Sequence, residues 1–110
     1  MLNLRVADTF WLRLCGVSGV GRLAPDQGLM LVPCRAIHTF FLSEPLDLVF
    51  LDKQGRERRC VHQVPPYRVV VEPSAYMVVE LPAGYCLRHS DYLCRIHAAL
   101  RLRVSPRLSR

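Results

Sequence analysis

Several things are scarce in this chain of 110 residues, and each scarcity excludes a class. Lys53 is the sole lysine among its fifteen basic residues. Long hydrophobic runs are missing as well. The longest, Leu46 to Leu51, is interrupted by Asp47, far short of the roughly 18–20 apolar residues that a membrane-spanning helix needs. The opening Met1-Leu2-Asn3-Leu4-Arg5 lacks a basic segment followed by an apolar one, so no export signal is read there. No C-x-x-C knuckle occurs. The five cysteines, at 15, 34, 60, 86 and 94, are odd in number and scattered. That pattern argues against a disulfide scaffold and for reduced thiols; with no export signal and no spanning run, the protein is expected to be cytoplasmic with no membrane association.

What is present is enough apolar side chain for one core. Hydrophobic residues make up 51% of the chain, which at this length suits a single domain. The net charge is +6, and basic charge can serve nucleic acid. Four arginines (Arg101, Arg103, Arg107, Arg110) fall in the last ten residues, however, and no aromatic accompanies them for base stacking. The domain is therefore drawn as residues 1–104, followed by a frayed basic tail at 105–110. Phe10, Trp11, Phe40 and Phe41 read as core.

Along the chain, Leu2 to Val6 alternates apolar and polar residues as a half-buried strand does. Asp8 or Thr9 would cap a short helix over Phe10 to Leu14, ended by Gly16, Gly19 and Gly21. Pro25 to Gly28 reads as a turn, and Leu29 to Val32 and Ile37 to Leu42 as strands. Leu46 to Leu51 is the strongest strand signal. Asp52 to Gly55 is a hairpin turn, and Glu57 to Val64 is its more polar partner, suited to a sheet edge. Tyr67 to Val71 and Ala75 to Leu81 follow, then a turn at Pro82 to Gly84 and a short helix through Arg88. A last strand is expected over Tyr92 to Ile96, resuming where Leu100, Leu102 and Val104 alternate with arginines. Glu80 is expected to anchor the turn at Pro82, and Gly28, Gly55 and Gly84 to sit at positive φ. The sum is a mainly β (α+β) domain: a small antiparallel barrel-like or sandwich sheet of six or seven strands with one or two short helices.

Four ordered segments carry a resemblance. Ala7-Asp8-Thr9, Gly28-Leu29-Met30-Leu31, Pro45-Leu46-Asp47 with Phe50-Leu51-Asp52 and Gly55, and Glu80-Leu81-Pro82-Ala83-Gly84 stand in this order. Together they resemble the domain of unknown function 192 family of uncharacterised bacterial and archaeal proteins, over Leu2 to Ile96. Cys34-Arg35-Ala36-Ile37-His38-Thr39-Phe40 followed by Pro45-Leu46-Asp47 is similar to a branch with His-Thr-Phe before Pro-Leu-Asp. Phe41 and Leu42 stand where other members have Asn-Thr. The resemblance implies a small, mainly antiparallel β assembly with short helices, and no established activity.

Candidate chemistry gathers between Cys34 and Asp47. A carboxylate inside the apolar strand Leu46 to Leu51 needs a partner, because burying it bare costs several kcal/mol. Asp47 is expected either to pin the Ser43–Pro45 turn or to orient His38, whose ordinary pKa lies near neutrality. Cys34, four residues before His38, would be the nucleophile of an enzyme alternative. Every one of the four histidines has a cysteine within four positions, and Cys60 and His62 would share a strand face. These pairs lie in different elements without zinc-knuckle spacing, so no metal or other cofactor is expected. The leading expectation is a non-catalytic module, a monomer or weak dimer, that binds a small ligand or a protein through Cys34, His38, Thr39, Ser43 and Asp47. One alternative is a small hydrolase using His38 with Asp47 or Cys34. Another is weak nucleic-acid binding through the arginine-rich C-terminus.

Overall fold

Six consecutive residues without one exposed member, Leu46–Leu51, form the strand on which the architecture hangs. The computed structural model describes residues 1–7, 23–40 and 42–108, with side chains up to position 102. The expected N-cap at Asp8 or Thr9, the helix over Phe10 to Leu14, the glycine loop at 16–21, Trp11, Cys15, Phe41 and Arg110 lie outside the described residues. In chain order the elements are β1 (Asn3–Ala7), β2 (Gln27–Leu31), β3 (Ala36–His38), β4 (Leu46–Leu51), β5 (Glu57–Val64), β6 (Val69–Val71), β7 (Met77–Pro82), α1 (Tyr85–Arg88) and α2 (Tyr92–Leu108). Five strands make one sheet in the order β1-β2-β7-β4-β5, and β3 and β6 make a separate two-stranded ribbon. The pairing is antiparallel except between β1 and β2, which run parallel. The described strands form an open sheet and a ribbon, not a closed barrel.

Side-chain alternation divides the core into two layers. Leu4, Met30, Val49, Leu51, Val79 and Leu81 face the helices, where Tyr85, Cys86, Ile96 and Ala99 close over them. Leu29, Leu31, Leu48, Phe50 and Val78 face the other way, under Ile37 and Val70 of the ribbon. The β4 side chains are covered on both sides, which is why this segment reads as a continuous apolar run rather than an alternating one. β5, as expected, is an edge strand.

The chain after Asp91 departs from expectation. Tyr92 to Ile96 and the stretch from Leu100 are helical, and the helix continues through Leu108, across the boundary drawn at 104. Tyr92, Leu93, Ile96, Ala99 and Leu100 pack on the sheet, a spacing of three and four residues that belongs to a helix. Leucine, arginine and alanine dominate the segment, and all are good helix formers. The alternation of Leu100 and Leu102 with arginines is a coincidence of composition, since Leu102 is half exposed. Asp91 supports the first turn through its ion pair with Arg95, at 2.9 Å.

Gly28 also differs. Gly55 and Gly84 have φ of 80° and 81°, as expected, but Gly28 does not share this conformation. A Cβ at Gly28 would lie 2.9 Å from Leu81 Cδ2 and 3.1 Å from Leu4 Cδ1, so glycine there permits close packing across the sheet. Among the described residues, no helix is long and apolar enough to cross a membrane.

Candidate functional site

Asp47 is fully buried and points to the helix side of the sheet, between the direction of Val49 and that of α1. Its Oδ1 accepts hydrogen bonds from the backbone N–H of Gln63 at 2.8 Å and of Gly84 at 3.1 Å. Its Oδ2 accepts one from the backbone N–H of Cys86 at 2.9 Å. Each donor needs it for a local reason. The register of β5 against β4 shifts opposite Asp47, where Leu46 pairs with Val64 but Leu48 pairs with Val61. The extra residue is a β-bulge, and Gln63 within it has φ of 50°. The bulge lets Val61 and Val64, three residues apart, both face the ribbon-side core. Gly84 and Cys86 supply N–H groups at the start of α1, which an isolated helix leaves without partners. Glu80, expected at a turn, is instead a second buried carboxylate in mid-strand, opposite Leu29 and Leu48.

The five residues expected to form one site are dispersed. Asp47 faces the helices, whereas Ile37 seats the His38-bearing ribbon on the opposite face of the sheet. The geometry therefore does not bring His38 to Asp47, and the Asp47 partners are the backbone N–H groups of Gln63, Gly84 and Cys86. Ser43 is exposed on that turn. Cys34 Sγ donates to the carbonyl of Ala36 at 3.1 Å, and the thiol packs at the border of the ribbon-side core. Thr39 is buried. Its hydroxyl donates to the Pro65 carbonyl at 2.7 Å and accepts from the Arg68 N–H at 2.9 Å.

Two assemblies remain as candidates for function. The first is the outward face of the ribbon. Ile37 and Val70 point inward, so Ala36, His38, Val69 and Val71 point out. His38 lies beside Phe40, their ring centroids 5.3 Å apart. Phe40, expected in the core, is 40% exposed, and Tyr67, Val69 and Val71 are 73%, 59% and 50% exposed. Tyr67 has φ of 65°, a conformation that a bulky residue rarely adopts. Thr39 enforces it, because the Thr39 carbonyl also accepts from the Tyr67 N–H at 3.0 Å.

The second assembly lies on the helix side. Cys60, His62 and Cys86 offer two sulfurs and a ring nitrogen, all within 4.8 Å of one another. Cys60 Sγ and His62 Nε2 are 3.9 Å apart. The Cys86 thiol donates toward Cys60 and lowers the Cys60 pKa to about 7, with help from Tyr92 and His62 against the burial that opposes it. Cys86 is pushed up in turn, by that same hydrogen bond, by burial and by the nearby Asp47 carboxylate. Tyr92 is raised by burial and by its hydrogen bond to Glu57. The sequence signalled two of the three members of this group, Cys60 and His62 on a shared strand face. The return of Cys86 through α1 has no local signature.

Comparisons with known proteins agree with the fold. No curated protein matches this chain. A protein of unknown function from Novosphingobium aromaticivorans superposes with a TM-score of 0.70 at 18% identity, covering 79% of this chain and 67% of that one. A Sinorhizobium meliloti protein described as a "putative transcription regulator" superposes with a TM-score of 0.71 at 22% identity, covering 79% of this chain and 73% of that one. At these identities the likeness is one of fold. The sequence profile of the DUF192 family, described as "Uncharacterized ACR", matches residues 1–90, and the chain belongs to that family.

Proposed function

We propose that this protein is a cytoplasmic, non-catalytic module that binds a protein partner through the outward face of the β3–β6 ribbon. The observation that carries this reading is the pair Val69 and Val71 on the outward ribbon face beside His38, with exposed Phe40 against His38 and exposed Tyr67 on the loop tied to Thr39, all substantially exposed. Single exposed apolar residues need no explanation, but a contiguous group marks an interaction surface. Tyrosine is a frequent anchor in such surfaces, and this one is held outward in a strained conformation that the fold maintains at a cost. Arginines border the face. The Arg59 Nη1 donates to the Val71 carbonyl at 3.1 Å, and Arg68 precedes Val69. A partner segment with apolar side chains flanked by carboxylates complements this arrangement. The cytoplasmic assignment draws support from the four free cysteines among the described residues.

Selection from a random displayed-peptide library tests the reading. Enriched peptides are expected to combine apolar residues with Asp or Glu, and to shift the amide resonances of residues 36–40 and 67–71. Val69→Asp should abolish their binding. Peptides that map to another face, or a dimer of the free chain that buries this one, would refute it. Tyr67→Gly gives a second, paired expectation. Relief of the left-handed conformation is worth roughly 1–2 kcal/mol, offset by the roughly 0.5–1 kcal/mol that glycine costs in chain entropy. The variant should therefore be at least as stable as the parent, gaining up to about 1.5 kcal/mol in urea unfolding, yet bind the selected peptides about tenfold more weakly.

A further inference from the structure

We propose that Cys60, His62 and Cys86 form a three-ligand site for a zinc ion, with a fourth coordination position open to solvent. The donors come from two elements that chain distance alone does not relate. Cys60 and His62 lie two apart on edge strand β5 and share its helix-side face, while Cys86 sits in the first turn of α1. Tetrahedral zinc, with bonds of about 2.3 Å to sulfur and about 2.0–2.1 Å to nitrogen, holds two sulfurs about 3.8 Å apart and a sulfur and a nitrogen about 3.6 Å apart. The sulfur–nitrogen separation between Cys60 and His62 is 3.9 Å, and all three atoms lie within 4.8 Å of one another. Small side-chain rotations therefore suffice to close the site around an ion. Two thiolates and an imidazole are a borderline-soft set that suits zinc over magnesium or calcium.

The surroundings support coordination. The Asp47 carboxylate holds the backbone N–H of Cys86 and the β5 bulge beside His62, so one buried group fixes the relative position of both ligand-bearing segments. Such outer partners orient metal ligands. Cys86 is buried, Cys60 half-buried and His62 exposed. The burial gradient opens the cluster to solvent on the His62 side, where a water or an incoming ligand completes the tetrahedron. A structural zinc site would instead close with a fourth protein ligand.

The test uses the whole chain, purified without an affinity tag and kept reduced. Dialysis against zinc chloride followed by elemental analysis should give one zinc per chain. Titration with cobalt should produce the near-ultraviolet sulfur-to-metal charge-transfer absorption of thiolate ligation. His62→Ala changes an exposed residue and leaves the fold intact, and because it removes a direct ligand it should weaken zinc binding by more than the roughly 10–100-fold that loss of an outer partner costs. Cys60→Ser should remove the charge-transfer absorption or reduce it by about half, whereas Cys34→Ser and Cys94→Ser should bind zinc as the parent does. Absence of stoichiometric zinc in the reduced chain would overturn the proposal. So would binding that survives His62→Ala undiminished, or binding lost with Cys94→Ser.

Discussion

Asp47→Ala is expected to destabilise the protein by about 3–5 kcal/mol, a large part of the roughly 5–15 kcal/mol that holds a domain of this size together. The methyl group of alanine accepts nothing, so the N–H groups of Gln63, Gly84 and Cys86 would lose their common acceptor. The carboxylate is fully buried, so water cannot enter to replace it without opening the sheet–helix interface. Each unpartnered buried donor costs about 1–3 kcal/mol, and bonds to a charged acceptor lie at the upper end. Two of the three donors, Gly84 and Cys86, are buried and the third, Gln63, partly so, and the loss strikes the bulge and the start of α1 at once. Asp47→Asn separates geometry from charge. Its amide keeps the size of the side chain but offers one oxygen where the carboxylate offers two, so an intermediate loss of about 1–3 kcal/mol is expected. Urea unfolding of the three proteins, read by circular dichroism, measures the series. A loss below about 1 kcal/mol for Asp47→Ala would mean that Asp47 is not the anchor its hydrogen bonds describe.

The need for that anchor was legible in the sequence, but its identity was not. An aspartate inside Leu46 to Leu51 must find partners, whatever the fold, because the desolvation cost of a carboxylate is independent of topology. Its donors lie 16, 37 and 39 residues further along the chain, and only the bulge and the chain reversal at Gly84 deliver them. The strands β4 and β5 were readable to the residue, since a continuous apolar run followed by a turn and a polar partner has few other solutions. α2 was not, because leucine and arginine alternating over a few positions satisfy a strand period and a helix period alike. The sheet decides between them: Ile96 and Ala99 are buried against it, whereas Leu102 stays half exposed. The candidate sites suffered from the same limit. His38 and Asp47 are nine positions apart in sequence, but β3 leaves the sheet for the ribbon and takes His38 to the other side. Cys86 approaches Cys60 and His62 for the converse reason, through a turn whose function is to place α1 over the edge strand.

Thr39→Val should cost about 2 kcal/mol, and its effect should be local to the loop that carries Tyr67. Valine keeps the shape of threonine while removing the hydroxyl, so packing at this buried position changes little. The Thr39 hydroxyl donates to the Pro65 carbonyl, lies 3.4 Å from the Arg68 carbonyl, and accepts from the Arg68 N–H. The backbone bonds from Thr39 N–H to Arg68 and from Tyr67 N–H to Thr39 remain available, so the loop stays closed but loses half of its clamp. One partially buried donor and one acceptor left unmatched give about 1–3 kcal/mol. The strain at Tyr67 then has less to oppose it, and its φ of 65° should relax toward the allowed region. Amide hydrogen exchange at Tyr67 and Arg68 should accelerate by more than at β4, where global unfolding sets the limit. Thr39→Ser, which retains the hydroxyl, should restore the exchange protection at Arg68 even though it gives up a buried methyl group. Equal acceleration in both variants would assign the loop's conformation to packing rather than to the Thr39 hydrogen bonds. It would also remove the mechanism that presents Tyr67, and with it the reason for reading the ribbon face as a surface built to be held open.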